Sequence, residues 1–282
     1  MYTRRDFHKI ALAGASAAMA FGKPDSKVNG VWIGAQTYSL RRLPLDEAIK
    51  NFADIGIGAV ELWSGHIEPK DRAQIKAWRT AKTTLDQMKE VRRKFDDAGI
   101  KVYALNYSFR AEHTDEEVLQ GMEMAKLLGT KIITASSKVS QAKRLNDLCK
   151  KGGVKVAMHN HSNLKDPDEY ATPESFAKAM EGNPNILLNL DIGHFVAANY
   201  DPIDYLKQHH AKIVTLHIKD RKKDQGANVP FGEGDTPIKQ VLQTLKQNKG
   251  WGIPAMIEYE YKGADDVAEV RKCFEYCKQQ LA

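Results

Sequence analysis

Along the chain, short apolar runs alternate with longer stretches whose apolar residues recur at helical spacing. The helical stretches stop near Gly or Asn, and an apolar run follows each time. Phe52-Ala53-Asp54-Ile55-Gly56 leads to Ala59-Val60-Glu61-Leu62, and Phe95-Asp96-Asp97-Ala98-Gly99 leads to Val102-Tyr103-Ala104-Leu105. Lys126-Leu127-Leu128-Gly129 precedes Ile132-Ile133-Thr134, and Lys150-Lys151-Gly152-Gly153 precedes Val154 to Met158. The first run is Trp32 to Tyr38; the last three are Ile186–Asp191, Ile213–Ile218 and Pro254–Tyr259. Gly just past a helix is a stop signal, because it takes left-handed backbone angles freely. Val, Ile and Leu runs separated by helices predict a parallel sheet covered by helices. Eight such units in roughly 255 residues predict one closed α/β domain, a (β/α)8 TIM barrel. An open doubly wound sheet would announce itself by a Gly-rich turn after the first strand, and none is there. The longer spacers, around residues 64–85 and 220–240, read as loops at the C-terminal ends of strands.

The first residues follow a different pattern. Thr3-Arg4-Arg5-Asp6-Phe7-His8-Lys9 precedes an uncharged run rich in Ala and Gly, Ile10 to Phe21. Ala18-Met19-Ala20 fits small-residue cleavage. The run is too short and too weakly apolar to span a membrane. Twin arginines followed by Phe and Lys resemble a bacterial twin-arginine export signal; the alternative is an amphipathic first helix of the domain. Residues 1–25 are therefore expected to be a signal peptide and linker, with Lys23–Gly30 polar linker. The barrel is expected over 26–282, and the location is periplasmic.

Composition adds mainly exclusions. The 282 residues carry a formal net charge of +6, part of it in that leader. Lys and Arg are interspersed with Asp and Glu. No basic block interleaved with aromatics is present, so nucleic acid is not an expected partner. No membrane anchor is expected, and a homo-oligomer is left open. Cys149, Cys273 and Cys277 are too few and too irregular for a disulfide framework.

The chemistry collects where barrels place their sites, at the C-terminal ends of strands. The fifth run ends His159-Asn160-His161 and the sixth Asp191-Ile192-Gly193-His194. The seventh ends His217-Ile218-Lys219-Asp220 and the eighth Glu258-Tyr259-Glu260. Residues two apart share a face of a strand. His159 with His161, Asn189 with Asp191, His217 with Lys219, and Glu258 with Glu260 thus pair up. Two imidazoles and two carboxylates at one point suit Mn²⁺, Zn²⁺, Co²⁺ or Fe²⁺ better than Ca²⁺. His159, Asp191, His217 and Glu258 are the expected ligands, with His161 the alternative on the fifth run. A single histidine at a strand end is more often structural; four consecutive ends reverse that reading. Lys219 is placed either to neutralise an oxyanion or to pair with a carboxylate. His194, Glu61, Asn106, Tyr38 and Trp63 are candidates for a sugar-binding wall, with core packing the alternative for the aromatics.

These residues resemble the xylose isomerase-like TIM-barrel superfamily, in particular its sugar phosphate isomerase/epimerase branch, from about Val31 to Leu281. The resemblance rests on Val60-Glu61-Leu62, Asp191-Ile192-Gly193-His194, His217-Ile218-Lys219-Asp220, Phe231-Gly232-Glu233-Gly234-Asp235 and Ile257-Glu258-Tyr259. It implies one divalent metal held by Glu, Asp, His and Glu from strands five to eight. Asp191, His217 and Glu258 match the last three. His159 stands where many members have Glu, and a His-Asn-His strand five occurs in a sizeable subgroup. In ketose epimerases the two ligand glutamates also move the proton; of that pair only Glu258 is present. The endonuclease branch needs further His and Glu ligands from earlier strands, which this chain does not offer.

The resemblance implies a metal-dependent sugar isomerase or epimerase working through an enediolate. Glu258 is the expected base, His159 or His161 the second acid/base group, and Lys219 an oxyanion partner. Export favours a free sugar, keto-sugar or glycoside over a sugar phosphate. The alternatives are a metal-dependent lyase or hydrolase of keto-glycosides, and a carbohydrate-binding barrel without catalysis.

Overall fold

The computed structural model describes residues 23–282. Eight parallel strands succeed one another in chain order: β1 Val31–Gln36, β2 Ala59–Trp63, β3 Lys101–Asn106 and β4 Ile132–Ala135, then β5 Lys155–His159, β6 Ile186–Asp191, β7 Ile213–Ile218 and β8 Ala255–Ile257. β1 pairs back to β8, with Ile33 opposite Ala255 and Ala35 opposite Ile257, so the sheet closes. The expected (β/α)8 barrel is therefore the fold. Each strand is buried on both faces, which is why it reads as a continuous apolar run rather than an alternating one. Gly34 is needed inside this wall: a Cβ there would lie 2.2 Å from the Met256 Sδ of β8.

Helices α1 Leu45–Ile55, α2 Arg72–Thr80, α3 Lys82–Asp97, α4 Asp115–Leu127 and α5 Ala142–Gly152 follow the first four strands. α6 Pro173–Met180, α7 Ile192–Ala197, α8 Pro202–His209, α9 Ile238–Gln247 and α10 Asp266–Leu281 complete the outer layer. Several of their starts carry the side chains a helix needs to satisfy its free N–H groups. Thr114 and Glu117 form a reciprocal capping box on α4. Gly56 ends α1 at φ 97°, the left-handed angle that makes Gly the stop there.

Two expectations are corrected. The stretch Lys23–Gly30 is a built part of the domain: Lys27–Val28 pairs antiparallel with the start of β1. Ser26 is fully buried, and its hydroxyl accepts from the Gly58 N–H, so this segment runs across the N-terminal ends of the strands. The spacer 64–85 is largely helical, because α2 and the start of α3 occupy it. The spacer after β7 is irregular, as expected. The Asp220 carboxylate organises it by accepting from the backbone N–H groups of Gly232, Gly234 and Thr236. The twin-arginine segment lies outside the described residues. Among the described residues, no helix is long and apolar enough to cross a membrane.

Candidate metal and active site

Register places the last residues of β5 to β8 side by side. His159 lies opposite Asn189, Asp191 opposite His217, and Ile218 opposite Ile257 just before Glu258. One ligand atom from each of His159, Asp191, His217 and Glu258 lies within 4.8 Å of all the others. His159 Nε2 is 3.3 Å from Asp191 Oδ2 and 3.8 Å from Glu258 Oε2. His217 Nδ1 is 3.0 Å from Glu258 Oε2 and 3.9 Å from Asp191 Oδ2. Bonds of about 2.0–2.2 Å to one ion put its ligands roughly 3–4.4 Å apart, and these pairs fall in that range. Asp191, Glu258 and Glu61 are three buried carboxylates, with the partly exposed Glu260 beside them, set against the Lys219 ammonium and the His217 ring. A dication would offset that excess of buried negative charge. The donor set therefore fits a metal ion.

Neighbouring residues fix each member. The His217 Nε2 lies 3.0 Å from both Glu61 oxygens. Glu61 is held in turn by the Thr134 hydroxyl at 2.7 Å and by the Asn106 amide at 3.2 Å. A carboxylate taking the far ring N–H leaves Nδ1 as the ligating nitrogen. Asp191 is both cap and candidate ligand: Oδ1 accepts from the His194 N–H at the start of α7, while Oδ2 faces the cluster. Asn160, the middle of His-Asn-His, points to neither ring. Its amide clamps the backbone of β6, donating to the Asp191 carbonyl and accepting from the Asp191 N–H.

The charges settle one another. Burial opposes ionisation of Asp191 and Glu258, yet Lys219 and the imidazoles outweigh it and hold both carboxyls well below their usual range. Burial would likewise discharge His217; Glu258 and Glu61 overcome that and raise it well above its ordinary value. In the metal-free protein His217 is thus an imidazolium, and metal binding would replace its Nδ1 proton. Burial lowers His159 and keeps it neutral. Burial and then Lys219 lower His194 further. Lys219 stays charged against burial because Asp191, Glu258 and Glu260 lie at 3.1, 2.8 and 2.5 Å.

His159, His217 and Glu258 of the cluster line a cavity of about 360 Å³, walled also by Tyr38, Trp63, Asn106, His161, His194 and Lys219. Tyr38 and Trp63, which meet edge to face at 5.1 Å, both line the cavity and are half-buried, so they are cavity wall rather than core. Glu61 is the exception among the expected wall residues. It is fully buried beneath His217, because β2 delivers it one layer below the strand ends. His161 is not in the four-residue cluster. β5 ends at His159, and the His161 ring instead bonds Glu169 through Nδ1 at 2.9 Å. Sequence reasoning missed Ser108, Ser136 and Gln36 on the wall and Thr134 beneath it. Small polar residues at strand ends carry no chemical signature of their own. Glu260, two residues past Glu258, was findable by strand alternation.

A closed barrel of this order has its relatives. Residues 49–279 match the family described as xylose isomerase-like TIM barrel. The chain belongs to this family. Within it, 193 residues are 27% identical to an L-ribulose-5-phosphate 3-epimerase, UlaE, of Escherichia coli, covering 66% of this chain and 67% of that one. The structure of the 3-keto-D-glucoside 4-epimerase YcjR of E. coli superposes with a TM-score of 0.68 at 12% identity, over 88% of this chain and 99% of that one. The IolI protein, solved with a zinc atom, superposes with a TM-score of 0.62 at 20% identity, over 89% and 96%. At these identities the two likenesses concern the fold.

Proposed function

We propose that this chain is a divalent-metal-dependent sugar isomerase or epimerase that acts, after twin-arginine export, on a free sugar, keto-sugar or glycoside. The observation that carries the reading is the convergence of His159, Asp191, His217 and Glu258 within 4.8 Å, beside a buried ammonium and under an open cavity. A metal held by those four would act as Lewis acid toward a carbonyl and its adjacent hydroxyl, acidifying the neighbouring C–H.

The chain's own groups do the rest. Glu258 is kept ionised, and its Oε1 makes no hydrogen bond to the described residues, so it is placed to take the proton. With His159 Nε2 turned to the metal cluster, His161 on the cavity wall, whose Nε2 makes no hydrogen bond to the described residues, is the second acid/base group. Lys219 Nζ sits against the cavity as a preorganised partner for enediolate charge. Tyr38 and Trp63 offer a ring-stacking wall, and the Asn106 amide is within reach of substrate hydroxyls. The 27% identical relative supports the reaction class, while export sets its phosphorylated substrate aside.

The test is solvent deuterium exchange. Purified protein loaded in turn with Mn²⁺, Zn²⁺, Co²⁺ or Fe²⁺ is offered free ketoses, 3-keto-glycosides and sugar phosphates. Label should enter the carbon next to the carbonyl of unphosphorylated compounds. Exchange confined to phosphates would defeat the substrate reading, and none with any metal would defeat the enzyme reading.

A further inference from the structure

The metal cavity does not end at its own wall. A second lobe of about 460 Å³ adjoins it, and Ser136 and His161 line both. Phe109, Ser137 and Glu169 form the remainder of its walls, with Arg110, Ala111, Glu112 and Lys138 at the rim. Each lobe lies within the size range, roughly 300–1,000 Å³, that holds a small ligand by itself. A monosaccharide over the metal cluster would leave the second lobe empty.

The charges around the opening say what the second lobe can hold. Lys138 is bound by Asp166 at 2.7 Å and by Glu169 at 2.9 Å. Lys219 is taken by three carboxylates. Arg221 donates to the Gly226 carbonyl, the Ser162 hydroxyl and His194. Arg41 donates to the carbonyls of Tyr38 and Tyr259, and Arg110 lies 3.9 Å from Glu112. The two lysines lining the lobes, Lys138 and Lys219, are thus both held by carboxylates, while Arg110 is exposed at the rim with Glu112 as its neighbouring acid. Glu112, Glu169 and Glu260 add negative charge along the way in. A phosphate needs cations or helix N–H groups that are free to turn to it. Hydroxyl groups do not: they donate to carboxylates and accept from serine hydroxyls and imidazole.

We infer that the second lobe binds the second, uncharged and hydroxylated ring of a glycoside, so that the substrate is a neutral keto-disaccharide rather than a monosaccharide or its phosphate. This rests on the proposed metal-dependent chemistry and narrows its substrate. His161 stands at the seam of the two lobes. Its Nδ1 is fixed by Glu169, and its Nε2 makes no hydrogen bond to the described residues, so it faces the place where the bridging oxygen would lie. Glu169, which carries no motif of its own in the sequence, is a positioning residue in this arrangement.

The experiment compares three substrates on the metal-loaded full chain: methyl 3-keto-glucoside, a 3-keto-disaccharide, and L-ribulose 5-phosphate. The second ring should raise kcat/KM at least about tenfold, the worth of one or two new hydrogen bonds. The phosphate should fall at least about a hundredfold below the disaccharide, as for a site with unmatched charge. Ala111→Trp, which fills the second lobe from its exposed rim, should shrink the two-ring to one-ring ratio to about twofold; metal content verifies that the variant is folded. Equal kcat/KM for the one-ring and two-ring compounds would overturn the inference, as would a ratio that Ala111→Trp leaves unmoved. Should no compound react, calorimetric binding of the same three makes the same decision. Tighter binding of the disaccharide would keep the subsite while the catalytic reading fails, and equal binding would remove both.

Discussion

Replacing Glu61 by glutamine tests the link between the barrel interior and the site. Glu61 is fully buried, with both oxygens 3.0 Å from His217 Nε2 and with Thr134 and Asn106 donating to Oε1. Glutamine keeps the shape and one acceptor, which can still serve Thr134. That acceptor also serves Asn106, so the NH₂ takes the place of Oε2 and faces the His217 ring N–H, donor against donor. One buried donor left unpaired costs about 1–3 kcal/mol. The imidazole also loses the anion that holds its ligating tautomer, and disrupting such a partner costs about 10–100-fold in metal affinity. At about 1.4 kcal/mol per decade, that is roughly 1.4–2.8 kcal/mol. Competition with a chromophoric chelator at fixed pH would read the affinity, and urea unfolding of the metal-free protein would read the stability. The reasoning fails if Glu61→Gln binds metal within twofold of the native chain while its unfolding midpoint drops. Glu61 would then be a structural partner of the core alone.

Four further outcomes are expected. Chelator treatment should abolish isotope exchange and lower the melting temperature, and one equivalent of divalent metal should restore both, since ligands of the native state stabilise it. In the metal-free protein, His217 is raised in the folded state, so its stabilising contribution is complete below the unfolded value of 6.5 and is lost as pH rises through the higher folded value. Melting temperature should therefore fall from neutral to alkaline pH, and fall less in Glu61→Gln; a rise would contradict the ion pairing. Gly193→Ala would put a Cβ 2.7 Å from the Lys219 carbonyl oxygen and 3.0 Å from its side chain. It should cost about 1–3 kcal/mol by overpacking and reduce exchange activity by displacing Lys219, measured by urea unfolding and turnover together. Thr114→Ala removes half of the α4 capping box. A loss of about 1 kcal/mol with unchanged turnover is expected, because α4 stands outside the site.

Both the order of elements and the four-residue cluster are legible in the amino-acid sequence. Strands buried on two faces must be apolar throughout, and a parallel strand needs a helix to return the chain. The alternation of runs such as Ile213–Ile218 with helical spacing thus follows from local patterning alone. The cluster follows because its members are chemically loud and occupy the same place, the last residue or two of consecutive strands. What sequence spacing does not carry is depth and direction across the barrel. Strand alternation tells that Glu61 points inward, not that it stops one layer beneath His217. His161 shares the parity of His159, but the chain leaves the strand after His159, and Glu169, eight residues further on, captures the second ring. Ser26 looks like linker because a hydroxyl has no periodicity; its burial against Gly58 exists only once the first strands lie side by side. Hydrophobic periodicity is a one-dimensional property and survives in the letters. Which polar atoms meet is set by strand stagger and closure, which arise from contacts between residues far apart in the chain.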